Sequence, residues 1–184
     1  MQLRRHVLIL RTAAALLAAL PAVGCTQQPA VGPPRTAMFN ATDTAWIQLM
    51  IPMDERAEQL TALASSRTAD PALAEIASAS EAGLKDELSR LRALLKVSGV
   101  PDTRPHEGHS MPGMVSLDVL DRATTTTGKE LDRLFTDSMR AHLAQTRTLC
   151  TGERASGWSK AAMELASAIE RSAADQLALL NAPR

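Results

Sequence analysis

The chain has 184 residues, a formal net charge of zero at pH 7 and only 2% aromatic residues. This neutral balance argues against a basic nucleic-acid surface or an acidic tail, and we expect no nucleic-acid partner. Abundant alanine, leucine and charged residues with few aromatics are typical of packed helices and exclude a β-sandwich.

Residues 1–25 are predicted to be a lipoprotein signal peptide that ends in a lipidated cysteine. Three arginines precede the apolar run Thr12–Leu20, which is too short to cross a bilayer as a mature helix. Small residues before Cys25 are typical of a bacterial lipoprotein processing site; a simply cleaved secretion signal is the alternative. Residues 26–41, rich in proline and glutamine, are predicted to be a flexible tether. We therefore expect a protein held by lipid on the extracytoplasmic face of the cell membrane, periplasmic or at the cell surface.

The rest of the chain, residues 42–182, is predicted to be one all-α domain. Apolar residues recur at helical spacing, and the predicted helices cover residues 42–65, 71–98, 116–123, 128–151 and 157–180. Four of these are long and are joined by short links within each pair. This pattern favours an antiparallel four-helix bundle of the ferritin-like kind.

The helix ends carry recognisable signals. We expect N-caps at Thr42 or Asp43 for the first helix, at Asp70 for the second and at Ser116 for the short one. Glycine often ends a helix, so Gly152 is predicted to stop the third long helix. In the fourth long helix, the side chain of Trp158 is predicted to face the core.

The two halves of the domain match each other at a shift of 89 residues. Met50 then falls on Met139, Met53 on His142, and Leu60 on Leu149. A constant offset without gaps predicts two pseudo-symmetric helix pairs fused by a linker.

The linker loop, residues 101–115, carries the first candidate metal site. His106, His109, Met111 and Met114 lie within nine positions. Imidazole and thioether ligands together favour Cu(I) or Ag(I) over hard cations. We expect the loop to be flexible and to lose entropy when it binds an ion. The alternative is a solvated loop rich in turn-forming residues.

The repeat supplies a second candidate set, which is Met50, Met53, Met139 and His142. Residues three apart share a helix face, so a pseudo-twofold axis would bring both faces together. The alternative is that all four are core residues and that His142 is hydrogen-bonded to a neighbour.

No sequence feature points to catalysis. No glutamate inside a helix has a histidine three residues later, as a di-iron site would need, and no glycine-rich phosphate loop is present. Cys150 is the only cysteine besides Cys25 and is predicted to be a buried, inert thiol; a metal-ligand role is the weaker alternative. We therefore expect neither an enzyme nor a di-iron cofactor.

The Met/His elements resemble those of a family of secreted bacterial ferritin-like domains typified by the periplasmic copper-binding protein CopM. That family carries Met-Ile-Pro-His-His in its first helix and Met-x-x-His-His in its third, often with a His/Met-rich loop between the halves. Here Met50–Asp54 reads MIPMD and Met139–Leu143 reads MRAHL. Three of the four histidines are thus replaced, by Met53, Asp54 and Leu143.

This resemblance implies the ferritin-like fold and copper binding, with the bundle site degraded and the loop best preserved. The predicted function is sequestration of copper or another soft metal, or tolerance to it, by a lipid-anchored protein. The alternative is a diverged, metal-free helical lipoprotein that acts through contacts with an unknown protein partner at the cell envelope.

Overall fold

The computed structural model describes residues 38–183, and the predicted signal peptide, Cys25 and most of the predicted tether lie outside them. The described part forms five helices and no strand. They are α1 (Ala41–Arg67), α2 (Pro71–Ser98), α3 (Leu117–Thr125), α4 (Gly128–Ser156) and α5 (Lys160–Asn181). Within this part, none of the helices combines the length and the apolar character that crossing a bilayer requires.

Helix α1 starts earlier than the sequence predicts. The side chain of Asn40 accepts the backbone N–H of Asp43 (2.9 Å), and the Asp43 carboxylate accepts the backbone N–H of Asn40 (2.5 Å). This reciprocal capping box makes Asn40, not Thr42 or Asp43, the cap. The side chain of Phe39 is buried, so the last residues assigned to the tether belong to the folded domain.

Two other helix starts are confirmed. Asp70 caps α2, with its carboxylate accepting the backbone N–H of Ala72 (2.9 Å). Ser116 caps α3 by accepting the backbone N–H of Val119 (3.2 Å). In both cases a short polar side chain satisfies an N–H that has no partner inside the helix.

The boundary between α4 and α5 differs from the prediction. Helix α4 continues through Gly152 as far as Ser156, and α5 begins after a cap at Ser159. Trp158 therefore lies in the connection, and 72% of its surface is exposed, so the prediction of a core position is wrong. The cause is a distant contact, because the Asp43 carboxylate accepts the backbone N–H groups of Trp158 and Ser159, both at 3.0 Å.

The four long helices form the predicted antiparallel bundle. Helix α1 packs against α2 and α4, α5 packs against α4 and α2, and the short α3 contacts α1 and α4. The core has two apolar clusters. One lies around Leu60 and Phe135 next to α3, and the other around Trp46 and Leu165 nearer the start of α1. The 89-residue shift relates α1 to α4 and α2 to α5, and the equivalence of the two pairs stays a prediction.

Candidate functional site

The loop between α2 and α3 lies against α1 and is held there by Arg56. Only 7% of Arg56 is exposed. Its guanidinium donates to the backbone carbonyl of His109 (3.2 Å) and to that of Glu107. A buried charge is tolerated when its donors are hydrogen-bonded, so Arg56 and the loop backbone stabilise each other.

A second anchor is made by Glu55, the neighbour of Arg56 on α1. Its carboxylate accepts two hydrogen bonds from Arg104 in the loop (2.5 and 3.2 Å) and one from Arg92 on α2 (2.7 Å). Burial alone would raise the pKa of Glu55, but these hydrogen bonds from Arg104 and Arg92 lower it below the usual value. Glu55 is therefore a carboxylate at neutral pH and pairs with both arginines.

The loop brings two of the predicted ligands together. The ring centroids of His106 and His109 are 5.7 Å apart, with 66° between the ring planes. Because a metal-bound imidazole nitrogen lies about 2 Å from the ion, two rings that share one ion have centroids about 5–6 Å apart. His109 is exposed and His106 is half-buried, and the Nδ1 atom of His106 has no hydrogen-bond partner in the described chain. The spacing of the two rings therefore matches that of two imidazoles that share one ion.

The two loop methionines lie further along the chain and are less accessible. Met111 is half-buried, and Met114 is 7% exposed. The backbone N–H of Met114 donates to the carbonyl of Met111 (3.0 Å), which closes a turn between them. Met114 lines a small cleft beside Ala141 of α4, so the end of the loop lies against the bundle.

Gly113 brings the loop backbone close to α4. Its φ is 75°, and a Cβ atom there would lie 2.2 Å from Cβ of Gln145 and 2.9 Å from the carbonyl oxygen of Ala141. The backbone of Gly113 also lies near the His142 side chain, where it slightly offsets the effect of burial on the pKa of His142. The two candidate Met/His sets, which the sequence presents as separate, are therefore joined at this glycine.

The second set lies inside the bundle. Met50, Met53, Met139 and His142 are each at most 1% exposed. Met50 belongs to the apolar cluster around Trp46, whereas Met139 belongs to the cluster around Phe135. This separation fits the alternative in which the methionines are core residues.

His142 faces a buried carboxyl group. Its Nε2 lies 3.7 Å from Oδ1 of Asp54, and neither side chain is accessible to solvent. Burial lowers the pKa of His142 to about 4. Burial, together with the charges of Glu87 and Glu55, raises the pKa of Asp54 well above its usual value. Burial thus disfavours the charged form of both side chains, and their 3.7 Å separation is longer than a normal hydrogen bond.

The structure also contains a buried pair of carboxyl groups, Asp43 and Glu153, which the sequence did not predict. Glu153 is 1% exposed. Its burial, a hydrogen bond with Asp43 and the charge of Asp43 raise its pKa to about 8. A Cβ atom at Gly157 would lie 2.4 Å from Oε1 of Glu153 and 2.9 Å from Oδ1 of Asp43. The spacing of Asn40 and Asp43 indicates a helix cap. Nothing in the sequence indicates that the side chain of Glu153 lies next to that of Asp43.

The donor chemistry limits what these residues can bind. Among residues 38–183, no three His, Cys, Asp or Glu side chains lie close enough together to share a metal ion. Within this part of the chain, no third side chain of these four types therefore joins His106 and His109. Cys150 is buried, as predicted, and burial raises the pKa of its thiol.

Comparison with known proteins identifies relatives of the domain. The model of a family described as a domain of unknown function, DUF305, matches residues 43–183. A DUF305 protein of Streptomyces coelicolor, described as a presumed secreted protein, is 17% identical with a TM-score of 0.68; the match covers 76% of this chain and 89% of that one. A DUF305 fragment from Deinococcus radiodurans is 16% identical with a TM-score of 0.68, covering 80% and 95% respectively. Because these sequence identities are low, the two matches support the fold alone. The comparison with curated proteins finds no match.

Proposed function

We propose that this chain, which belongs to the DUF305 family, binds Cu(I) or a similar soft ion such as Ag(I) through its His/Met loop. The observation that carries the proposal is the juxtaposition of His106 and His109, with ring centroids 5.7 Å apart. The resemblance to the copper-binding CopM type supports it. The role that follows is sequestration of the ion or tolerance to it, without catalysis.

The anchoring of the loop strengthens this proposal. The sequence suggests a flexible loop that loses much entropy on binding. In the structure, however, Arg56 donates hydrogen bonds to the backbone carbonyls on both sides of Gly108, and Arg104 donates to the Glu55 carboxylate. A binding segment that is already ordered loses less free energy when it binds a ligand. Cu(I) accepts few, soft ligands, so two imidazoles and one or both loop thioethers can complete its coordination.

His142 has a different role in this proposal. It is a neutral, fully buried imidazole that lies next to the backbone of Gly113 at the end of the loop. The positions that carry the other three histidines in the copper-binding family hold Met53, Asp54 and Leu143 here. Burial disfavours the charged form of Asp54, and a hard carboxylate oxygen suits Cu(I) poorly. We therefore assign His142 to positioning the loop and not to coordinating the ion.

The proposed location is the extracytoplasmic face of a membrane, with Cys25 as the lipidated residue. The signal-like start of the chain supports this, as does the description of the Streptomyces coelicolor relative as a presumed secreted protein. Replacing Cys25 by serine is expected to release the protein from the membrane fraction or to leave its precursor unprocessed. A correctly cleaved variant that remains in the membrane fraction would contradict lipidation.

The test of metal binding is a competition titration of Cu(I) between the protein and a coloured chelator. The double variant His106→Ala, His109→Ala is expected to lose at least about tenfold in affinity, which is about 1.4 kcal/mol. Ser110→Ala is the matched control, because Ser110 is an exposed, non-ligating residue of the same loop. His142→Ala should weaken binding less than the double variant does.

Other outcomes would place the metal site elsewhere or exclude metal binding. If the double variant binds Cu(I) as tightly as the wild type, the loop is not the site. If His142→Ala abolishes binding while the double variant retains it, the bundle is the site. If the wild type does not compete with the chelator, the metal proposal fails. The metal-free lipoprotein that acts through protein contacts then becomes the leading candidate.

A further inference from the structure

One end of the bundle exposes the apolar side chains of Met38, Val97 and Trp158. Together with the half-buried Leu94 and the buried Phe39, which line the same depression, they are here called the end patch. Met38, Val97 and Trp158 are 61%, 52% and 72% exposed, although side chains of their size are usually buried. With neighbouring residues of α5, the patch lines a shallow depression of about 530 Å³. Contiguous exposed apolar surface of this kind usually marks an interaction site.

The end patch lies where the folded domain begins. It combines the residues before α1, the last two turns of α2 and the connection that leads into α5. Met38 is the first residue that the structure describes, and 12 residues separate it from Cys25. A segment of that length spans at most about 45 Å. Of the described surfaces, the end patch is therefore the one closest to Cys25 along the chain.

The composition of the end patch suits the surface of a lipid bilayer. Tryptophan is enriched at membrane–water interfaces, where its ring is partly in contact with lipid and its N–H with water. Trp158 lies on the end patch, and its backbone N–H donates a hydrogen bond to the carboxylate of Asp43 (3.0 Å). Lys160 lies beside it, 3.7 Å from the carboxylate of Glu164, and 87% of the Lys160 side chain is exposed, so that its ammonium group can exchange this surface ion pair for lipid headgroups.

We propose that the end patch contacts the bilayer to which Cys25 is attached, with Trp158, Met38 and Val97 at the lipid interface. This inference rests on the proposed lipid anchor. The bundle would then stand end-on, and the loop would lie on its side. Arg56, which holds the loop, is 15 residues into α1, or about 22 Å along the helix axis. His106 itself lines a groove beside the first turns of α1, between Ala41 and Leu49, so the histidine pair would lie on the side of the bundle nearer to the bilayer than the Arg56 backbone.

The two tryptophans make a direct test possible. Trp46 is 4% exposed and Trp158 is 72% exposed, so contact with lipid should affect only the fluorescence of Trp158. The chain that begins at Cys25 is coupled through the Cys25 thiol to vesicles that contain maleimide-bearing lipids. Cys150 is fully buried and should not react. Because the link is made chemically, the result does not depend on whether Cys25 is lipidated in the cell.

The expected result is that lipids brominated on their acyl chains quench a large part of the Trp158 emission. The variant Trp158→Phe should lose this quenching, which leaves the signal of Trp46. The matched control adds Leu117→Trp to Trp158→Phe, because Leu117 is 60% exposed on α3, outside the end patch. This tryptophan should stay unquenched.

Two results would overturn the inference. One is quenching of Trp158 that does not exceed quenching of the tryptophan at position 117. The other is a blue shift of Trp158 emission that rises with protein concentration without vesicles, together with a dimer in sedimentation analysis. The end patch would then join two copies of the chain. Failure of lipidation itself is measured separately, by the membrane fractionation of Cys25→Ser.

Discussion

The loop histidines and His142 present the same side chain in opposite environments. His109 is exposed and His106 is half-buried on a loop fixed by its backbone, so the rings can reach an ion from solvent. His142 is 1% exposed, and burial lowers its pKa to about 4. The comparison shows that access and hydrogen bonding, more than residue type, separate a candidate ligand from a structural residue in this bundle.

The largest expected effect is at Gly113, where the two environments meet. Gly113→Ala combines an unfavourable φ with overlap onto Gln145 and Ala141, at a cost of about 4 kcal/mol in the free energy of unfolding. Gly99→Ala is the matched control, because its φ is almost the same (74°) and the space around it is open. It should cost about 1 kcal/mol. Equal losses in denaturant titrations would show that the contact between loop and α4 is unimportant.

The next largest effect concerns Glu153, a buried acid comparable to the buried base His142. Its pKa is raised from 4.5 to about 8, so the folded state holds a proton that the unfolded state releases. The stabilising effect of this proton is complete below pH 4.5 and is lost as the pH rises to 8. At about 1.4 kcal/mol per pKa unit, this difference corresponds to at most about 5 kcal/mol, which solvent screening reduces to about 3 kcal/mol.

Glu153→Gln carries no titrating proton, so its free energy of unfolding should decline less than that of the wild type between pH 5 and 8.5. Denaturant titrations across this range measure the difference. Glu164→Gln is the control, since Glu164 is an exposed residue of α5. If the wild type and Glu153→Gln have parallel pH profiles, the proton at Glu153 does not stabilise the fold.

For His142 the pH dependence of the free energy of unfolding has the opposite sign. Its pKa falls from 6.5 to about 4 on folding, so the unfolded state binds the extra proton. The corresponding stability is complete above pH 6.5 and is lost as the pH falls to 4, by about 3 kcal/mol. His142→Gln should remove this dependence while lowering stability at pH 7. Unfolding curves at pH 4.5 and 7 compare the variant with the wild type, and an unchanged pH dependence in the variant would refute the assignment.

The smallest effect on stability is expected in the loop. The double variant His106→Ala, His109→Ala should change the free energy of unfolding by less than about 1 kcal/mol, because surface substitutions away from the core have small effects. Its Cu(I) affinity should nevertheless fall at least tenfold. A large loss of stability would mean that these rings support the fold, and the affinity change would then lose its meaning.

The extent to which the sequence predicted the fold depended on whether the signal was local. The starts at Asp70 and Ser116 were predictable because each cap bonds an N–H two or three residues away. Gly152 did not end α4, because it lies in open space where the helix can continue. The helix ends at Gly157, where Glu153 and a carboxylate from α1 occupy the space of a side chain. That constraint comes from another helix.

The same limit applies to the candidate site. The types and spacing of the loop ligands could be read from HEGHSMPGM. The anchors Glu55 and Arg56 could not, because their loop partners lie far along the chain. Likewise, the 89-residue shift aligned Met53 with His142 but gave no sign that Asp54 would face that histidine.

Asp43 also has a consequence for how the domain responds to force. Its carboxylate accepts backbone N–H groups from Asn40, Trp158 and Ser159, and the side chain of Asn40 donates to the carbonyl of Ser156 (2.7 Å). A force applied through the N-terminal segment acts first on these hydrogen bonds. It is passed directly to the connection between α4 and α5, so several hydrogen bonds must break together before α1 can detach. A chain tethered at this end is thereby protected against peeling of its first helix.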